Sequence, residues 1–158
     1  MKTTLLAIAL SVASAAPALA DIIEIEMLNK NEDGDRMIFS QELIRAEVGD
    51  IIRFVPTDKS HNAQSVKDAL PEGQEPFRGR VNQAIEYEVT KTGLTAVVCL
   101  PHQAMGMVAL VVVGDDLSNA DDILNARVPG KGGDKLEALV EEAKSLITSD
   151  ESSTDQSS

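Results

Sequence analysis

The chain offers only two histidines and one cysteine in 158 residues. Two of these three stand in one short stretch, Cys99-Leu100-Pro101-His102-Gln103-Ala104-Met105-Gly106-Met107. That stretch joins two apolar, valine-rich runs, residues 94–99 and 107–113. A loop between adjacent strands can bring Cys99, His102 and Met107 to one point. His61 lies upstream, past a run that ends near Pro56, and antiparallel β-topology can set it beside the same loop. Two neutral imidazoles and a thiolate in a trigonal plane, with a weak thioether on the axis, make up an electron-transfer copper site. Sulfur donors suit Cu(I) and nitrogen donors suit Cu(II), so the mixed set serves both states. A fold that fixes all four positions keeps the geometry nearly constant as the charge changes.

Each residue alone has a plainer reading. A single Cys at a strand end is commonly a small buried hydrophobe. His102 alone could be a surface residue, His61 part of a polar turn, and Met105-Gly106-Met107 core filler. The conjunction C-x-x-H-x-x-x-x-M between buried strands, with a second His after an earlier strand, favours the metal. Zinc could take one Cys and two His, but structural zinc sites draw on more thiolates and no thioether.

The elements that must position these residues follow from the patterning. Ile23, Ile25 and Met27 alternate with Glu24 and Glu26, and Ile85, Tyr87 and Val89 with Glu86 and Glu88. A period of two with one polar face marks half-buried strands. Residues 50–56 predict another, ended by Pro56. The continuous runs 94–99 and 107–113 predict central strands covered on both faces. Turn signals fall at Asp33-Gly34, Val48-Gly49-Asp50 and Thr92-Gly93. Together these predict an all-β Greek-key sandwich. After Gly114 the period changes and predicts two C-terminal α-helices, about residues 118–127 and 134–148. Ser118-x-x-Asp121 opens the first. Leu136, Leu139, Val140, Ala143, Leu146 and Ile147 share one face of the second. Residues 149–158, serine and acid without a packing face, are expected to be a disordered tail.

The N-terminus reads as a targeting segment: Lys2, an apolar core over residues 5–12, and Ala18-Leu19-Ala20 as a small-x-small cleavage site. The apolar run is shorter than the ~20 residues a membrane helix needs. The expectation is a signal peptide over residues 1–20, a domain over 21–148 and periplasmic localisation. One cysteine permits no internal disulfide, and a lone thiol in an exported chain calls for a role that metal binding supplies. The 14 basic residues include Lys2, leaving 13 against 26 acidic ones after the leader, a formal net charge of −13. That balance argues against nucleic acid and anionic membranes as partners.

On these residues the chain resembles the pseudoazurins, within the cupredoxin (blue copper) superfamily. The matching stretches are Met27-Leu28-Asn29-Lys30, Pro56-x-Asp58-Lys59-x-His61-Asn62, Leu70-Pro71-Glu72-Gly73 and Cys99-x-Pro101-His102-x-Ala104-Met105-Gly106-Met107. The resemblance implies an eight-stranded sandwich followed by two helices, and one copper ion cycling between Cu(I) and Cu(II). It also implies His61, Cys99, His102 and Met107 as ligands, with Met105 at a surface position. It gives Asn62 a backbone N–H aimed at the sulfur and a side chain that braces the ligand loop. Pro101 offers no N–H to the sulfur. An apolar patch of Met37, Pro56, Pro101 and Met105 around His102 would receive redox partners, rimmed by Lys30, Lys59 and Arg78. Val98, Leu100 and Gln103 depart from the lysine, threonine and tyrosine common there.

Three functions compete. The first is a monomeric periplasmic one-electron carrier serving nitrite reductase, nitrous-oxide reductase or c-type cytochromes in denitrification. The second is a copper chaperone or store without redox turnover. The third, a copper enzyme such as a nitrite reductase, needs a second metal held by further histidines. With His61 and His102 committed, none remain.

Overall fold

A computed structural model describes residues 20–154. Among the described residues, eight strands form two four-stranded sheets. Strand β1 is Ile22–Lys30, β2 Arg36–Phe39, β3 Leu43–Ala46 and β4 Ile51–Val55. Then follow β5 Gln64–Ser65, β6 Ile85–Glu88, β7 Gly93–Val98 and β8 Val108–Val113. One sheet runs β2-β1-β4-β6 and the other β3-β8-β7-β5. The β1/β4 and β3/β8 pairs are parallel, and the remaining pairs antiparallel.

Side-chain parity explains why β7 and β8 are buried along their whole length. Odd-numbered residues, from Val97 through Cys99 and from Met107 through Ala109, Val111 and Val113, enter the core between the sheets. Even-numbered residues, Leu94, Ala96, Val98, Val108, Leu110 and Val112, enter a second core under the helices. Because successive strand side chains point to opposite faces, both sides of this hairpin need apolar residues. The same parity delivers Cys99 and Met107 to the inter-sheet side at the end of the sandwich.

The helical end departs from expectation in three places. Helix α1 is Ala120–Leu124, shorter than residues 118–127. Asn119 precedes it without capping it, because its side chain is engaged elsewhere: it accepts from Leu94 N and donates to Leu94 O. Helix α2 is Lys131–Thr154. It starts three residues ahead of Asp134, taking in Gly132 and Gly133 against their weak helix propensity. It also continues through residues 149–154, placed in a disordered tail on composition. Once a helix is nucleated on a packed face, propagation adds one hydrogen bond per residue and needs no further apolar side chains. Thr148 and Ser149 hydroxyls bond back to carbonyls of the preceding turn. The expected signal peptide, apart from Ala20, and residues 155–158 lie outside the described residues.

Candidate metal centre

His61, Cys99 and His102 meet at one end of the sandwich. Each arrives by a different local device. Cys99 extends the inward parity of β7, and its N–H donates to Met107 O at 3.0 Å. His102 sits on the turn that follows, its N–H bonded to Cys99 O at 2.9 Å. A single 3-10 turn, Gln103–Met105, then carries the chain to Gly106, whose φ of 102° reverses it into β8. Met107 N donates to His102 O at 3.3 Å. The loop from Cys99 to Met107 is thereby closed on its own backbone.

His61 comes from the β4–β5 connection, which is tied down on both sides. Asp58 N donates to Met27 O, and the Asp58 carboxylate accepts from Asn29 N at 2.7 Å. Ser60 N donates to Asn82 Oδ1 at 2.6 Å, and Asn82 N to His61 O at 2.9 Å.

The three donor atoms form a near-equilateral triangle. Cys99 Sγ is 3.6 Å from His61 Nδ1 and 3.5 Å from His102 Nδ1, and the two Nδ1 atoms are 3.1 Å apart. The corners of such a triangle lie about 2 Å from its centre, against about 2.0–2.1 Å for a zinc–imidazole bond and about 2.3 Å for zinc–thiolate. Two imidazole lone pairs so close repel unless a proton or a cation lies between them. The donor set and its spacing therefore fit one transition-metal ion. Met107 is fully buried in the same core cluster as Cys99, while Met105 is 53 % exposed.

Electrostatics favour the metal-binding form of His61 and, without a metal, oppose that of Cys99. Burial, helped by neighbouring His102 and opposed by Asp58, lowers the pKa of His61, keeping its ring neutral. Asn29 Oδ1 lies 3.0 Å from His61 Nε2. An amide oxygen only accepts, so the His61 proton belongs on Nε2 and Nδ1 turns a bare lone pair inward. This role of Asn29 was not read from the sequence, where a polar residue near a strand end carries no signal for a histidine 32 positions away. Burial raises the Cys99 thiol, and the backbone N–H groups of Asn62 and His102 partly restore the thiolate. Asn62 Oδ1 also accepts from Leu100 N at 2.8 Å and its amide donates to Gly79 O at 3.1 Å. Asn62 thus ties the segments carrying His61 and Cys99 together, as the resemblance implied.

The sequence pattern described as copper binding proteins, plastocyanin/azurin family, matches residues 25–114. A pseudoazurin of Paracoccus pantotrophus is 48 % identical over 126 residues, spanning 80 % of this chain and 86 % of the relative. The chain belongs to the pseudoazurins. A second pseudoazurin, from Methylorubrum extorquens, is 40 % identical over 114 residues, 72 % of this chain and 76 % of the relative. The structure of a pseudoazurin from Sinorhizobium meliloti superposes with a TM-score of 0.75 at 37 % identity, covering 79 % of this chain and 98 % of the other. As a pseudoazurin the chain is a blue copper electron carrier, and its cofactor is one copper ion.

Proposed function

We propose that the chain is a monomeric, non-enzymatic shuttle of the periplasm, with copper held by His61, Cys99, His102 and Met107. When bound, the copper supplies one-electron redox between Cu(I) and Cu(II). The observation that carries the reading is the triangle of donors at about 2 Å from a common centre. His61 and Cys99 are fully buried and His102 only partly. His61 and Cys99 exclude water, and Asn29 and Asn62 hold their orientation. His102 is then the shortest route between the centre and the outside. Exposed Pro101 and Met105 flank it in sequence, and half-buried Met37 and Pro56 complete the proposed docking patch. Lys30, Lys59 and Arg78 are exposed and suit an acidic rim on a partner.

The partners we infer are redox proteins of denitrification: nitrite reductase, nitrous-oxide reductase or c-type cytochromes, engaged transiently. Export rests on the leader, with cleavage after Ala20. Among the described residues no helix is long and apolar enough to cross a membrane. The competing reading, a chaperone or store, conflicts with a constrained centre built from a self-bonded loop and a buried histidine, which disfavours metal exchange. Repeated voltammetric cycling of the copper protein tests this directly. A shuttle retains its copper through many cycles and passes electrons to a nitrite reductase. Rapid loss of copper to a metal-free acceptor protein would instead identify a chaperone.

A further inference from the structure

Gly130 immediately precedes helix α2, which opens Lys131-Gly132-Gly133. Glycine inside a helix costs roughly 0.5–1 kcal/mol relative to alanine, so Gly132 in the first turn needs a reason, and the reason lies across the loop of residues 99–107. A Cβ on Gly132 would fall against the carbonyl oxygen of Gln103, closer than side-chain carbons approach, and 2.7 Å from Val128 Cγ1. A Cβ on Gly130 would stand 2.6 Å from Ala104 O. One on Gly106 would meet the stems of Lys131 and Lys135 at 3.6 and 3.8 Å. The helix start therefore touches the loop at residues 103, 104 and 106, all between His102 and Met107.

Neither side has slack. The loop is closed by its own hydrogen bonds, Met105 N to His102 O and Gly106 N to Gln103 O among them. The helix is seated by Leu136, Leu139, Val140, Ala143 and Ile147 in the second core, and Lys135 pairs with Glu42 at the head of β3. We propose that Gly130 and Gly132 are positioning residues: they let the start of α2 press directly on the backbone of residues 103–104 and so fix where His102 and Met107 stand. This rests on the ligand assignment above. The helix acts as a rigid backstop, and any side chain at those two positions pushes the ligand loop toward the sandwich end.

Three variants of the full chain test it: Gly132→Ala, Gly130→Asn and, as a control, Ile147→Ala, which empties a buried position of α2 more than three turns away. Asparagine tolerates the left-handed φ of 61° at residue 130, so Gly130→Asn adds the clash with little backbone strain if Gly132→Ala fails to fold. The readouts are the visible spectrum and reduction potential of the copper form, and amide exchange at Met105, Gly106 and Met107 in the metal-free form. The expected result is an altered ratio of charge-transfer bands, a shifted potential and roughly tenfold faster exchange in both glycine variants. Ile147→Ala lowers Tm and leaves spectrum and potential alone. Glycine variants with parental spectrum, potential and loop exchange overturn the proposal, whatever their Tm. A parent chain lacking the charge-transfer band contradicts the copper reading instead, and the metal-free exchange data still judge the backstop.

Discussion

The Nδ1 atoms of His61 and His102 face each other across 3.1 Å, yet one ring is wholly buried and the other reaches toward the surface. The two imidazoles are chemically alike and sterically opposite. Truncating each to glycine separates them. In His102→Gly a free imidazole can enter from solvent, so added imidazole restores the charge-transfer band. In His61→Gly the space is sealed beneath Asn29 and the loop, and the same addition restores little. Spectra recorded against imidazole concentration check this, and equal rescue of both variants would contradict the burial argument.

Ser60, immediately before His61, holds a left-handed φ of 76°. For an L-residue this conformation costs roughly 1–2 kcal/mol. Glycine removes that cost and adds about 0.4–1 kcal/mol of freedom to the unfolded chain. Ser60→Gly is therefore expected to stabilise the protein, by on the order of 0.5–1 kcal/mol, in chemical denaturation of the metal-free form. The spectrum of the copper form should not change, because the backbone N–H to Asn82 is kept.

Gln74 is buried away from the donor triangle and serves stability alone. Its Oε1 accepts from Thr90 N at 2.9 Å and Lys91 N at 3.2 Å, while Nε2 donates to Glu88 O at 3.0 Å. This pins the segment after Pro71 to the β6–β7 turn. Gln74→Leu leaves those backbone groups without their partner and should cost about 2–4 kcal/mol. The urea midpoint should fall while the reduction potential stays put.

Asp21 N donates to Asp50 Oδ1 at 3.0 Å, and the other Asp50 oxygen accepts from Glu47 N at 2.8 Å. Asp50 is only 9 % exposed. In the proposed cleavage after Ala20, the Asp21 amide would become an α-ammonium beside this carboxylate, a charge-assisted bond. A chain beginning at Asp21 should therefore be more stable, by about 1–2 kcal/mol, than one retaining Ala20. Asp50→Asn should abolish most of that difference. Equal stabilities for the two chain starts would dismiss the pairing.

Tyr87 is the only tyrosine and there is no tryptophan, so its ultraviolet titration is read without overlap in the metal-free form. Burial pushes its phenol up to about 12, partly offset by a hydrogen bond with Thr95 at 3.0 Å. An acid with a raised folded-state pKa holds its proton where the unfolded chain has lost it. Its contribution to stability is complete below pH ~10 and is lost as pH rises to about 12, at about 1.4 kcal/mol per pH unit. Phenolate absorbance developing near pH 10 in the folded protein would show the ring to be accessible.

The residues that chemistry singles out were legible because they are scarce: one thiol and two imidazoles leave few ways to build a metal centre. The strands that carry them were legible for a different reason, the unbroken apolar runs of β7 and β8, which only a doubly covered hairpin demands. What escaped the pattern was short or cooperative. Strand β5 is two residues long and β2 includes Met37 at a φ of 53°, so neither has a period to read. Asn29 acts on His61 through tertiary proximity. The start of α2 runs through glycines that local propensity reads as a break; at Gly132 a Cβ would meet the Gln103 carbonyl and at Gly133 the Val128 carbonyl, contacts the sequence does not announce.

The most direct measurement is the visible spectrum of the purified chain after one equivalent of Cu(II), recorded beside Cys99→Ser. An intense thiolate-to-copper band in the parent, absent from the serine variant, is the predicted result. A colourless parent whose Cys99 thiol still reacts freely after copper addition would contradict the account, because the sulfur at the apex of the donor triangle would then hold no metal.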